Sequence, residues 1–155
     1  AGAQIFFSSG YIVHAGEEFT GGLSTLLASD DDRLSVFNDP VTLAAAVEFY
    51  ATSPINCPLE LRFRMEHSAS RPGLAYFLQL YNYDTNAWDI NVGDSEVLSD
   101  LTQEVILTNG GALAHVNVTT GETRARIEWA PINDEDPAQD GWLHNVDLVR
   151  WRATP

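Results

Sequence analysis

The stretch "LELRFRMEH", Leu59–His67, decides the fold class. Leu59, Leu61, Phe63 and Met65 alternate with Glu60, Arg62, Arg64 and Glu66, the period-two pattern of an antiparallel strand with one face in a core and the other in water. "TRARIEW", Thr123–Trp129, repeats it, with Ala125, Ile127 and Trp129 on one face and Arg124, Arg126 and Glu128 on the other. Outward from these two, the apolar segments are short and are punctuated by Gly, Pro, Asn and Asp. Strands are expected at Gln4–Phe7, Tyr11–Ala15, Leu23–Ala28, Leu34–Phe37, Val41–Ala51, Leu59–His67, Ala75–Tyr83, Trp88–Val92, Gln103–Leu107, Ala114–Val118, Thr123–Trp129 and Trp142–Trp151. In "PVTLAAAVEFYA" the Ala run suits a helix, but Val41, Thr42, Val47, Phe49 and Tyr50 favour strand. Turn chemistry is strong at Ser70–Gly73, Thr108–Gly111, Thr119–Glu122 and Pro131–Gly141. So many short strands exceed one open sheet and suit two packed ones. The expected fold is all-β, a two-sheet antiparallel β-sandwich, in a single domain over residues 1–155 without linker or internal repeat.

Composition narrows the function classes. The 155 residues are 45% hydrophobic, enough for a core without metals or disulfides. Eight Arg, no Lys and 22 Asp plus Glu give a formal charge of −14. That charge repels phosphate backbones and anionic membranes, so nucleic acid is not an expected partner. No apolar run reaches the length of a transmembrane helix, so no membrane insertion is expected. The single cysteine, Cys57, cannot form an internal disulfide. A start at Ala1 without Met fits a processed export product or a piece of a larger protein.

Catalytic templates are missing: there is no nucleophile elbow, zinc-protease helix, P-loop or dinucleotide fingerprint. His14, His67, His115 and His144 are isolated in sequence and read as surface or satisfied polar residues rather than metal ligands. Cys57, in "PINCP", has no neighbouring base. The 22 acids leave a glycosidase pair open without singling one out. The chain is therefore read as not an enzyme.

The aromatic residues carry more information. In "LQLYNYDTNAWDI" two strand-like runs flank Asp84-Thr85-Asn86, a hairpin connection in which Asn takes the left-handed position. That hairpin brings Tyr81, Tyr83 and Trp88 together. They either brace the sheet by cross-strand pairing or form a stacking platform for sugar rings. Trp142, after the acidic loop, is a further ligand-binding candidate; Trp129 and Trp151 read as core. Arg62, Arg64, Arg124 and Arg126 would form one charged row, were their strands neighbours, either pairing with Glu60, Glu66 and Glu128 or serving as an anion-binding face.

Two acidic loops remain. Asp30, Asp31 and Asp32 form one; Asp134, Glu135, Asp136 and Asp140 form the other. Turn chemistry competes with calcium binding in both, and the second departs from EF-hand spacing. In the first, the carboxylates are expected to accept backbone N–H bonds, with Arg33 offsetting their repulsion. The sequon Asn117-Val118-Thr119 falls at an expected strand end.

Five elements carry a family resemblance: S-D-D-x-R-L at Ser29–Leu34, L-x-F-x-x-E at Leu61–Glu66, L-Y-N-x-x-T-x-x-W at Leu80–Trp88, R-A-R-x-x-W at Arg124–Trp129 and V-D-x-x-x-W at Val146–Trp151. In this order they resemble a poorly characterised β-sandwich module of large secreted or surface proteins of planctomycete-type bacteria. The resemblance spans roughly Tyr11 to Thr154 and implies a secreted or cell-surface location. It departs from the family at "DTNAW", where T-G is commoner, and in the long acidic loop. A looser likeness is to jelly-roll carbohydrate-binding modules, which often hold a structural calcium. On the V-D-x-V strand of "NVDLVRW" it implies a jelly-roll-like sandwich with Asp147 as the analogous carboxylate, a metal candidate in addition to Asp30, Asp31 and Asp32 of the first loop. No other cofactor is expected.

The leading expectation is thus a non-catalytic extracellular module binding glycan or matrix through exposed aromatics. The alternative is a structural subunit or decoration protein of an extracellular assembly, with other proteins as partners. A polysaccharide-active enzyme ranks third.

Overall fold

A computed structural model describes residues 2–132 and 141–155. The chain forms β1 (Gln4–Phe7), β2 (Gly10–Ala15), β3 (Glu17–Thr20), a 3-10 turn (Leu23–Leu26), β4 (Leu34–Phe37), β5 (Ala45–Thr52), β6 (Glu60–Ala69), β7 (Leu74–Asn82), β8 (Ala87–Ser95), β9 (Leu101–Thr108), a short helix α1 (Gly110–Ala114), β10 (Glu122–Pro131) and β11 (Leu143–Thr154). One sheet has the order β3-β4-β11-β6-β9, with β1 pairing the C-terminal half of β11; the other has the order β2-β5-β10-β7-β8. All pairings are antiparallel. The molecule is a two-sheet, jelly-roll-like antiparallel β-sandwich, as the alternation requires.

The core lies between the sheets. Leu61, Phe63 and Met65 of β6 meet Ala125, Ile127 and Trp129 of β10, all essentially inaccessible. Trp151 packs against Phe6 and Phe63, at ring centroid distances of 5.8 and 4.9 Å. At about 25 cal/mol per Å², each such buried aromatic contributes several kcal/mol.

Three sequence expectations need correction, and one strand, β3, is not among those expected. Leu23–Ala28 is not a strand, because the Gly22 amide donates to Thr25 Oγ1 and that hydroxyl donates back to the Gly22 carbonyl, a local alternative to a sheet ladder. Ala114–Val118 is not a strand either; Leu113 N–H bonds Asn109 O, so α1 ends there, and Asn117 Oδ1 then caps the amides of Thr119 and Thr120. The strand expected from Val41 begins at Ala45, because Asp39 Oδ1 accepts from the amides of Val41 and Thr42 and holds a turn. Strand β3 has no apolar alternation to reveal it, since all four residues are exposed at a sheet edge.

Candidate functional site

The outer face of the five-stranded sheet gathers the aromatic residues of the hairpin. Tyr81 and Trp88 are paired cross-strand residues of β7 and β8, and the Tyr81 ring stands edge-on to Tyr83 at 5.0 Å and to Trp88 at 5.3 Å. The connection runs from Asn82 to Ala87, with Asn82 Oδ1 accepting from Asp84 and Thr85 and Asn86 at φ 52. Asn86 therefore takes the left-handed position expected of it. The Tyr83 hydroxyl donates to Glu122 at 3.0 Å; burial first, then that hydrogen bond, raises its pKa.

Strand β10 adds what sequence reasoning missed. The Arg124 guanidinium lies 4.4 Å from the Tyr81 ring centre and 5.1 Å from that of Trp88, and Arg126 lies 4.5 Å from Trp88. These contacts fix the Trp88 ring against two cations. Arg124 also donates through Nε and Nη2 to Glu48, which in turn meets His14. Burial pushes the Glu48 carboxyl up, but Arg124 and His14 more than offset it and leave it below the usual range. Arg126 donates to Gln79 at 2.7 Å, and Gln79 bonds Asn91.

A bulge in β8 makes this alignment. The β7–β8 register shifts between Leu78 and Leu80, Ile90 takes φ 55, and Trp88 and Asn91 share the outer face. For a β-branched residue that backbone is strained. Two more rings lie on this face. Tyr50 covers Gly10, where a Cβ would sit 2.0 Å from the hydroxyl, and Phe77, 53% exposed, covers Gly93, where a Cβ would sit 2.9 Å from the ring. Tyr81 and Phe77 are four residues apart on β7, about 13 Å along the strand. Between them on β7 lies Gln79, which bonds Arg126 of β10 on one side and Asn91 of β8 on the other.

Trp142 does not join them. It is 2% exposed, with its ring edge-on to His144 at 3.5 Å, so the ligand role expected of it fails on burial. The row of Arg62, Arg64, Arg124 and Arg126 does not form, because β6 and β10 lie in different sheets.

The acidic candidates are partly regrouped. Asp31, Asp100 and Asp147 present carboxylate oxygens all within 4.8 Å of one another; Asp30 and Asp32 are not in the group. The "SDDD" segment turns at Asp31 (φ 62), the Asp32 amide donates to Asp30 Oδ1, and Arg33 pairs with Asp31 and Asp100, both at 2.8 Å. The expected turn chemistry is present. Asp147 Oδ2 accepts from the Asp31 amide, whereas its buried Oδ1 has no partner. Burial raises the Asp147 pKa. Burial also pushes Asp100 up, but the hydrogen bond and charge of Arg33 bring it below its usual range. Asp134, Glu135, Asp136 and Asp140 lie outside the described residues. His67 and His144 are buried, His14 and His115 meet Glu48 and Asp89, and Cys57 is exposed.

No protein-family model matches the chain, and no curated protein matches its sequence. Solved structures do. The N-terminal cellulose-binding domain of Cellulomonas fimi β-1,4-glucanase C is similar at a TM-score of 0.60 with 11% identity, covering 94% of this chain and 90% of that one. A CBM4 structure is similar at 0.53 with 11% identity, covering 92% and 93%. The xylan-binding module CBM15 is similar at 0.51 with 10% identity, covering 98% and 95%. The fold is thus that of jelly-roll carbohydrate-binding modules. Likeness at such identities is a likeness of fold, and nothing in it supports the planctomycete-type module.

Proposed function

We propose that this chain is a non-catalytic module of a secreted or surface-exposed protein, and that it binds a glycan chain on the outer face of its five-stranded sheet. The observation that carries the reading is the arrangement of Trp88, Tyr81 and Phe77 along one face with Gln79, Asn91 and Arg126 among them. Rings offer apolar faces to the C–H faces of sugars, and the polar groups between them offer hydrogen bonds to hydroxyls. A span of about 13 Å suits an oligosaccharide rather than one sugar. The comparisons support this at the level of fold.

The test is affinity electrophoresis and pull-down on cellulose, xylan and other neutral polysaccharides. Binding to at least one is expected, weakened about tenfold or more in Trp88→Ala, the loss expected of one stacked ring. No binding, or binding indifferent to Trp88→Ala and Phe77→Ala, would overturn the reading. Self-association or protein capture in its place would favour the structural-subunit alternative.

We also propose that Asp31, Asp100 and Asp147 hold a structural calcium ion. Their hard oxygens fit such an ion, and the unpartnered buried Oδ1 of Asp147 is the atom that needs one. The ion would fasten the Asp31 turn to β11, opposite the glycan face. A chelator should then lower the melting temperature, and an unchanged temperature would sink the idea.

A further inference from the structure

The outer face of the other sheet carries a second charged surface. Strands β6 and β11 are neighbours, with Arg64 directly opposite Arg150 and Arg62 directly opposite Arg152. Their flanks continue the same two rows: Phe7 and Ile5 of β1 pair with Arg150 and Arg152, and Glu104 and Ile106 of β9 pair with Arg64 and Arg62. The four guanidiniums line an open depression of about 190 Å³ together with Glu104 and Trp151. Half of the chain's eight basic residues thus stand in adjacent cross-strand positions, in a protein of net charge −14.

Like charges directly opposite each other on a sheet destabilise it. The neighbouring carboxylates relieve only part of this. Arg62 pairs with Glu60 at 2.7 Å and with Glu104 at 3.7 Å, and Arg64 reaches Glu66 only at 3.9 Å, with its buried Nε unpartnered. Among the described residues Arg150 and Arg152 form no ion pair. Two forked guanidiniums are left available for an external anion, a geometry that matches carboxylate or sulfate.

We propose that this face binds an acidic polysaccharide, one carrying carboxylate or sulfate groups, at a site separate from the neutral-glycan face. The positive area is only two strands wide, about 5 Å from β6 to β11, and suits a single polymer chain. A DNA duplex or an anionic membrane would also cover the surrounding acidic surface and be repelled by it. The half-exposed Phe7 and the exposed Ile5 and Ile106, 36%, 54% and 52% accessible, supply apolar contacts for sugar rings beside the cations.

The experiment is affinity electrophoresis of the chain through gels containing polygalacturonate, dextran sulfate or uncharged dextran, with duplex DNA as a competing polyanion. Wild type and Trp88→Ala should be retarded by polygalacturonate, dextran sulfate or both, not by dextran, with the retardation falling as salt rises. The double variant Arg150→Gln/Arg152→Gln should bind about tenfold or more weakly, as expected for two lost charge-assisted contacts. Arg150→Lys/Arg152→Lys keeps the charge and should be intermediate, which controls for any fault in folding of the Gln variant. Absence of retardation on both acidic polymers would overturn the proposal. So would undiminished retardation of the Gln variant, preferential binding of DNA, or self-association abolished by the same substitutions. Because Trp88 lies on the opposite sheet, failure here and failure of the neutral-glycan reading are distinguishable.

Discussion

Between Val146 and Leu148 the β6–β11 register shifts, and the residue at that bulge is Asp147, fully buried with Oδ1 unpartnered. Its folded pKa lies above the ordinary value of 3.8. The stabilisation that this implies is present below pH 3.8 and is lost as pH rises through the folded value. Above that folded value the metal-free fold carries a buried ionised carboxylate at a cost. Asp147→Asn should raise the melting temperature in the presence of chelator at pH 7 and abolish any rise on adding calcium; thermal unfolding with and without the ion reads both. His144 has the opposite sign. Burial, then the nearby His67, lowers its pKa well below 6.5, and both ring nitrogens lack partners while the ring stacks on Trp129. Stability should be full above pH 6.5 and should fall below it, as the unfolded state takes up the proton first. His144→Leu should weaken that acid sensitivity, measured as melting temperature between pH 7 and 5.

The connection from β8 to β9 crosses between the sheets, and Glu96 is buried on it. One oxygen meets His67 Nδ1 of β6 at 2.6 Å and accepts from Trp129 Nε1 of β10 at 2.7 Å, so one carboxylate serves both sheets. Glu96→Ala leaves both ring nitrogens without that partner and should cost about 3 kcal/mol or more in denaturant unfolding. Nothing in the sequence around "DSEVLSD" marks this role, because the partners come from strands distant in the chain. The same limit explains what alternation did and did not reveal elsewhere. Within β6 and β10 it sets the core-facing residues correctly, but Leu59, read with them, precedes β6 and is 58% exposed, and Glu66, read as facing water, is buried. Alternation does not say which strands are neighbours, so Arg124 and Arg126 belong with Tyr81 and Trp88, and Arg62 and Arg64 with Arg150 and Arg152. The Tyr81–Trp88 pair is legible because a short hairpin makes it local; Phe77 and Tyr50 are not, since only the glycines on adjacent strands let their rings lie across the face. Trp142 misleads for a related reason: a Trp after an acidic loop reads as exposed, but β11 turns it onto His144.

Six of the eight arginines stand on the outer faces of the two sheets, Arg124 and Arg126 on one and Arg62, Arg64, Arg150 and Arg152 on the other. Each face thus keeps a local cation supply in a chain of net charge −14. The faces are back to back, separated by a core about 10 Å thick, and share no side chain. Groups so far apart act independently unless the fold itself moves. With both faces occupied, the chain should bridge a neutral and an acidic polysaccharide. A sedimentation assay should show insoluble neutral polymer carrying down labelled polygalacturonate or dextran sulfate only when the protein is present. Trp88→Ala and Arg150→Gln/Arg152→Gln should each abolish the bridging, the first by releasing the neutral polymer and the second by releasing the acidic one. Their separate affinity losses should multiply in the combined variant. A Trp88→Ala protein that lost the acidic polymer as well would show that both ligands share one site and would refute the two-face arrangement.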